Sequence, residues 1–157
     1  MAIKRRFREE RLDITEDVLA AKLPAFSAYF KELRDPAERY AKLATELRRQ
    51  NDTTLADLAA RTAAKPLWDG AFIYLPRSVV RGSFGAERSF VRDGREIARD
   101  VNPGIDLAST PAAPVPAANN GVVVLAGPLG VYGQTVVIDH GMVPPWPPMP
   151  SWNARAR

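Results

Sequence analysis

The chain changes texture at "KPLWDG", residues 65–70, and that change constrains the fold more than any other feature. Before it, apolar residues recur at helical spacing. After it come short runs of β-branched and aromatic residues, "AFIYLP", "VVRGSF", "RSFVRDGREIA", "GVVVLAG" and "QTVVIDHG", separated by Gly, Pro and Asn. Runs this short and this closely punctuated read as antiparallel strands joined by turns, since a parallel sheet would need a long crossover between each pair. In "VRDGRE" the dipeptide Asp93-Gly94 sits between two such runs, where a two-residue hairpin turn needs both central positions at positive φ.

Residues 1–67 read as helical. Thr15 is placed to cap a short helix with Glu16 and Asp17 in its first turn, and Pro24 interrupts it. Asp35, Pro36 and Glu38 mark a second start as cap, first helical position and capping-box partner, with Tyr40, Leu43 and Leu47 on one face. A third helix is expected from about Thr54 to Ala63, with Leu55, Leu58 and Ala59 on one stripe. Such faces serve to cover the domain that follows or to meet a partner. Residues 68–141 form the β part, and 142–157, with prolines at 144, 145, 147, 148 and 150, read as a polyproline-like or disordered tail. The fold class is therefore α+β: a helical N-terminal part followed by an incomplete antiparallel β domain.

Composition narrows the function. The 157 residues are 46% apolar, enough for a real core. Lys+Arg number 22 against 18 Asp+Glu, a net charge of +4, too small a surplus to grip nucleic acid. No stretch approaches the roughly 18 apolar residues of a membrane span, and the charged start "MAIKRRFREERLD" has no apolar segment behind it, so no export signal is expected. With no cysteine, a metal would need oxygen or imidazole ligands. The last lysine, Lys65, precedes the β runs, which excludes a lipoyl or biotinyl arm displayed on a β turn, and the single histidine, His140, excludes a two-histidine phosphocarrier. "GVYG" at 130–133 is followed by neither lysine nor a helix start, so it is not a phosphate loop.

From Trp68 to Gly141 the order of parts, "SFGAER", a hairpin, "GIDLAS", "APVPAANNGVVVLAG" and "YGQTVVIDHG", resembles the M23 (lysostaphin- and LytM-like) peptidases, zinc endopeptidases that cut peptide cross-links of bacterial cell walls. The resemblance implies a first ligand pair, a His and an Asp four residues on. Asp106 stands at the Asp position, whereas Asn102 stands at the His position, and an amide is a far poorer zinc ligand than imidazole. The family's remaining ligand and catalytic histidines lie beyond the "DHG" turn, and no histidine follows His140. Asp106 alone cannot make the three-ligand site that activates a water. His140 and Asp139 are read as turn residues, and no catalytic residue is assigned.

Two readings follow from the resemblance. One is a C-terminally truncated M23-type endopeptidase, inactive as this chain and holding no zinc; the other is a degenerate LytM-like module that binds peptidoglycan or regulates a wall hydrolase. The resemblance implies the bacterial envelope as the setting, while the missing export signal leaves the localisation open. Missing strands would also leave the faces of "VVVLA" and "TVVID" uncovered and prone to association.

Overall fold

A computed structural model describes residues 7–142. The tail expected over 142–157 lies outside the described residues except for Met142. Among the described residues seven strands run in chain order as β1 (Glu9–Asp13), β2 (Val79–Gly82), β3 (Glu87–Arg92), β4 (Arg95–Val101), β5 (Asp106–Ala108), β6 (Val122–Pro128) and β7 (Gln134–Asp139). The helices are α1 (Glu16–Lys22), α2 (Pro36–Lys42) and α3 (Arg48–Ala59), with a π-helical turn, Leu43–Leu47, joining the last two. The strands form a three-stranded sheet β1-β3-β4 and two ribbons, β2-β5 and β6-β7. The fold is α+β, and among the described residues no sheet closes into a barrel.

Local signals act where they were expected. Thr15 accepts the Val18 amide and Asp35 the Ala37 amide, with Pro36 opening α2. Asp93 and Gly94 take φ of 49° and 77°, closing the β3-β4 hairpin. The third helix is corrected: α2 and α3 run on without a break from Pro36 to Ala59, because no Pro or Gly stands between them, and Thr45, Thr53 and Thr54 turn their hydroxyls back onto carbonyls of the preceding turn. "AFIYLP" forms no strand; it is tied to the segment before β6 by Ile73 N–H to Ala118 C=O at 2.9 Å and by the Asn119 amide, which donates to Ala71 C=O at 3.3 Å.

The N-terminal region is not wholly helical. Residues 9–13 add to the edge of β3 in parallel, paired from Glu9 with Glu87 to Asp13 with Val91. Its charge-rich sequence shows no clean apolar alternation, so what places it is the free edge of β3 rather than local propensity. One core follows from this arrangement. Ile14, Leu19, Phe90 and Ala98 are buried together, and Val18, Leu23, Tyr40, Ala41, Ala44 and Ile97 pack on them, so α1 and α2 cover the sheet. Tyr40 meets Phe90 edge-on at 6.0 Å.

The ribbons are less well covered. Val122 and Val123 on β6, Val136 on β7, and Val79 and Val80 on β2 are each more than half exposed. Apolar side chains on two-stranded ribbons with open edges favour association. Sedimentation velocity is expected to show concentration-dependent self-association, reduced when Val122 and Val136 are both changed to Thr; a concentration-independent monomer would contradict this.

Candidate functional site

Asn102 follows β4 and Asp106 opens β5, so one loop carries both. The Asn102 main chain is pinned to the turn before β3: its N–H donates to Ala86 C=O and its C=O accepts the Gly85 N–H, both at 2.8 Å. The side chain is buried, and its Oδ1 accepts the Gly104 N–H at 3.3 Å. That bond sets the orientation of the amide and aims Nδ2–H at Asp106 Oδ2, 3.3 Å away.

The same carboxylate oxygen receives Nη2 of Arg88, whose Nε–H donates to Glu10 Oε2 at 3.1 Å. Burial works to lower the guanidinium pKa, and the hydrogen bonds to Asp106 and Glu10 overcome it, holding the group above its ordinary value. Gly82 makes room for this pair, since a Cβ there would run into both Asp106 Oδ2 and Arg88 Nη2.

A zinc ion does not fit these residues. Binding needs lone pairs directed at a common point, whereas Arg88 and Asn102 both direct N–H donors onto Oδ2 of Asp106, and those N–H groups offer a metal no lone pair. His140 does not join them: its Nδ1 sits 2.7 Å from Asn120 C=O, and Phe72 meets its ring edge-on at 4.9 Å. Among the described residues no three His, Cys, Asp or Glu side chains are grouped to hold a metal. Asp139 takes the Thr62 hydroxyl, the Ala63 N–H and the Gly141 N–H, at 2.6, 2.8 and 2.8 Å. Those bonds, Thr62 first, hold its carboxyl below the usual range. It docks the end of β7 onto the segment after α3.

A second polar cluster, not anticipated from sequence, fastens α3 to the β6-β7 ribbon. Asn51 Oδ1 accepts the Val131 N–H at 2.9 Å, the Tyr132 hydroxyl donates to Asp52, and Arg48 lies 5.1 Å over the Tyr132 ring. Arg48 also reaches Asp100 at 3.1 Å, a charge contact rather than a formed hydrogen bond, and burial pushes the Asp100 carboxyl up against the opposing pull of Arg48. Burial, then the bond to Asp52, raises the Tyr132 hydroxyl pKa as well. Beside this cluster an apolar cavity of about 330 Å³ opens between α3 and the ribbon, with Pro103 and Gly104 of the Asn102–Asp106 loop in its wall.

Residues 100–143, the stretch holding Asn102, Asp106 and His140, match the model of peptidase family M23, and through that segment the chain is related to the family. The family-level function is that of a peptidase, generally dependent on zinc. No curated protein matches the chain.

Arg88 and Glu10 are the site residues that sequence reasoning missed. Arg88 lies within "SFGAER", part of the family-like pattern, so its position was marked although its role was not. Glu10 lies 78 positions from Arg88, and no local pattern joins the two.

Proposed function

We propose that this chain is an M23-type module directed at the bacterial cell wall that does not hydrolyse wall peptides as it stands. One observation carries the reading: Asp106, at the family's ligand position, already has its charge met by Arg88, and the same oxygen, Oδ2, also accepts from the Asn102 amide. Zinc at Asp106 would have to compete with a guanidinium held between two carboxylates, and it would find no imidazole beside it. The internal ion pair favours the non-catalytic module, which binds peptidoglycan or regulates a wall hydrolase, over a peptidase merely lacking some of its ligands. A site stripped of ligands would leave Asp106 without a counter-ion, whereas here the loop is finished by residues of the chain itself.

The test is zinc content and hydrolysis measured on the same preparation. After dialysis against zinc and then buffer, elemental analysis is expected to find far less than one zinc per chain, and purified sacculi should release no peptide while retaining the protein in a pull-down. Zinc-dependent cleavage abolished by Asp106→Ala would overturn the reading. Failure to bind either sacculi or a wall amidase would remove the module.

A further inference from the structure

The N-terminal segment reaches the supports of both site residues. Phe7 lies over Gly85, where φ is 77° and a Cβ would run into the ring; the Gly85 N–H in turn donates to Asn102 C=O at 2.8 Å. Arg8 C=O accepts the Glu87 N–H at 2.8 Å, which begins the β1-β3 ladder. Glu10 holds Nε of Arg88, and Arg88 holds Asp106. Thus Asn102 is tied to the N-terminal segment through the turn before β3, and Asp106 is tied to it through one guanidinium.

We propose that residues 7–13 act as a latch on the Asn102–Asp106 loop. β1 is an edge strand with four of its five residues exposed, so its opening costs less than that of the β3-β4 hairpin it lies against. When it leaves, Arg88 loses Glu10 and keeps Asp106, the Gly85 turn loses Phe7, and the loop is freed to move. Arg88 is suited to the task because its fork presents Nε to one carboxylate and Nη2 to another, which a lysine ammonium cannot do in fixed geometry. Coupling of this kind is reciprocal: whatever loosens β1 loosens the loop, and whatever loosens the loop loosens β1 by the same factor. As regulation of the loop, the latch rests on the proposed function. As a mechanical link it does not.

Hydrogen–deuterium exchange on the full chain tests it. Glu10→Ala is expected to raise exchange about threefold in residues 102–108 as well as in 9–13, the size expected for losing one partly exposed ion pair. Asp106→Ala should raise exchange in 9–13 by a similar factor, and Arg88→Lys, which keeps the charge but loses the fork, should do both. If Glu10→Ala raises exchange only in 9–13 and 87–91 and leaves 102–108 unchanged, the latch is wrong. Should Glu10→Ala lose its far-ultraviolet circular dichroism, the same comparison on Glu10→Gln decides the matter, with a smaller rise in 102–108 supporting the latch and no rise overturning it. Sacculus binding does not enter this readout, so a module that binds no wall can still carry the latch, and a latch that fails leaves wall binding untouched.

Discussion

Leu19→Ala is expected to lower the free energy of unfolding by about 3 kcal/mol, the middle of the range for truncating a buried leucine. Leu19 is only 2% exposed. It stands in the middle of α1 and packs with Ile14, Phe90 and Ala98, so it joins the N-terminal helices to the β3-β4 hairpin. Truncation removes the Cγ and both Cδ methyls at a place where helix and sheet are held by backbone on both sides, and partial collapse is all the site can manage. Urea denaturation should show a lower midpoint with the slope unchanged, the mark of lost stability rather than an altered unfolded state. A change under about 1 kcal/mol would mean that α1 is not packed on the sheet as described.

Gly141→Ala is expected to cost about 2 kcal/mol or more, through backbone strain and collision together. Gly141 takes φ of 80°, and a Cβ there would overlap the Lys65 carbonyl oxygen, which is main chain and cannot swing away. The residues on either side are tied to the same segment, since Leu67 N–H donates to His140 C=O and Met142 N–H to Ala63 C=O, both at 2.8 Å. The substitution should therefore undock the end of β7 from residues 63–67. Thermal denaturation measures the loss, and Gly94→Ala, at a turn with φ of 77° but open space around it, separates the strain from the collision. Equal losses at the two glycines would show that the Lys65 contact contributes nothing.

Much of the fold was legible because its signals are local. Asp35 before Pro36, Thr15 before an acidic turn, and Asp93-Gly94 between two β runs each act within four residues, and each sits where its chemistry demands. The switch from helical to β texture near residue 65 likewise gave the α+β class. The extra helix boundary before Thr54 was an error of the same locality: the helix runs through the threonines, whose hydroxyls find carbonyls one turn back. The N-terminal strand escaped notice because its charged residues carry no period, and only the edge of β3 gives it a partner.

For the candidate site, the residues themselves were readable. Asn102 at a ligand position and Asp106 four residues on are facts of the chain, and an amide in place of an imidazole weakens any metal there whatever the fold. What occupies the carboxylate was decided by tertiary structure alone. Arg88 comes from 18 positions before Asp106, and Glu10 from a further 78, and they meet because β1, β3 and the Asn102–Asp106 loop converge over a glycine that leaves space for them. Side-chain chemistry is written residue by residue, but the partner of a charge is whichever opposite charge the topology brings within reach, and that depends on the whole chain being folded.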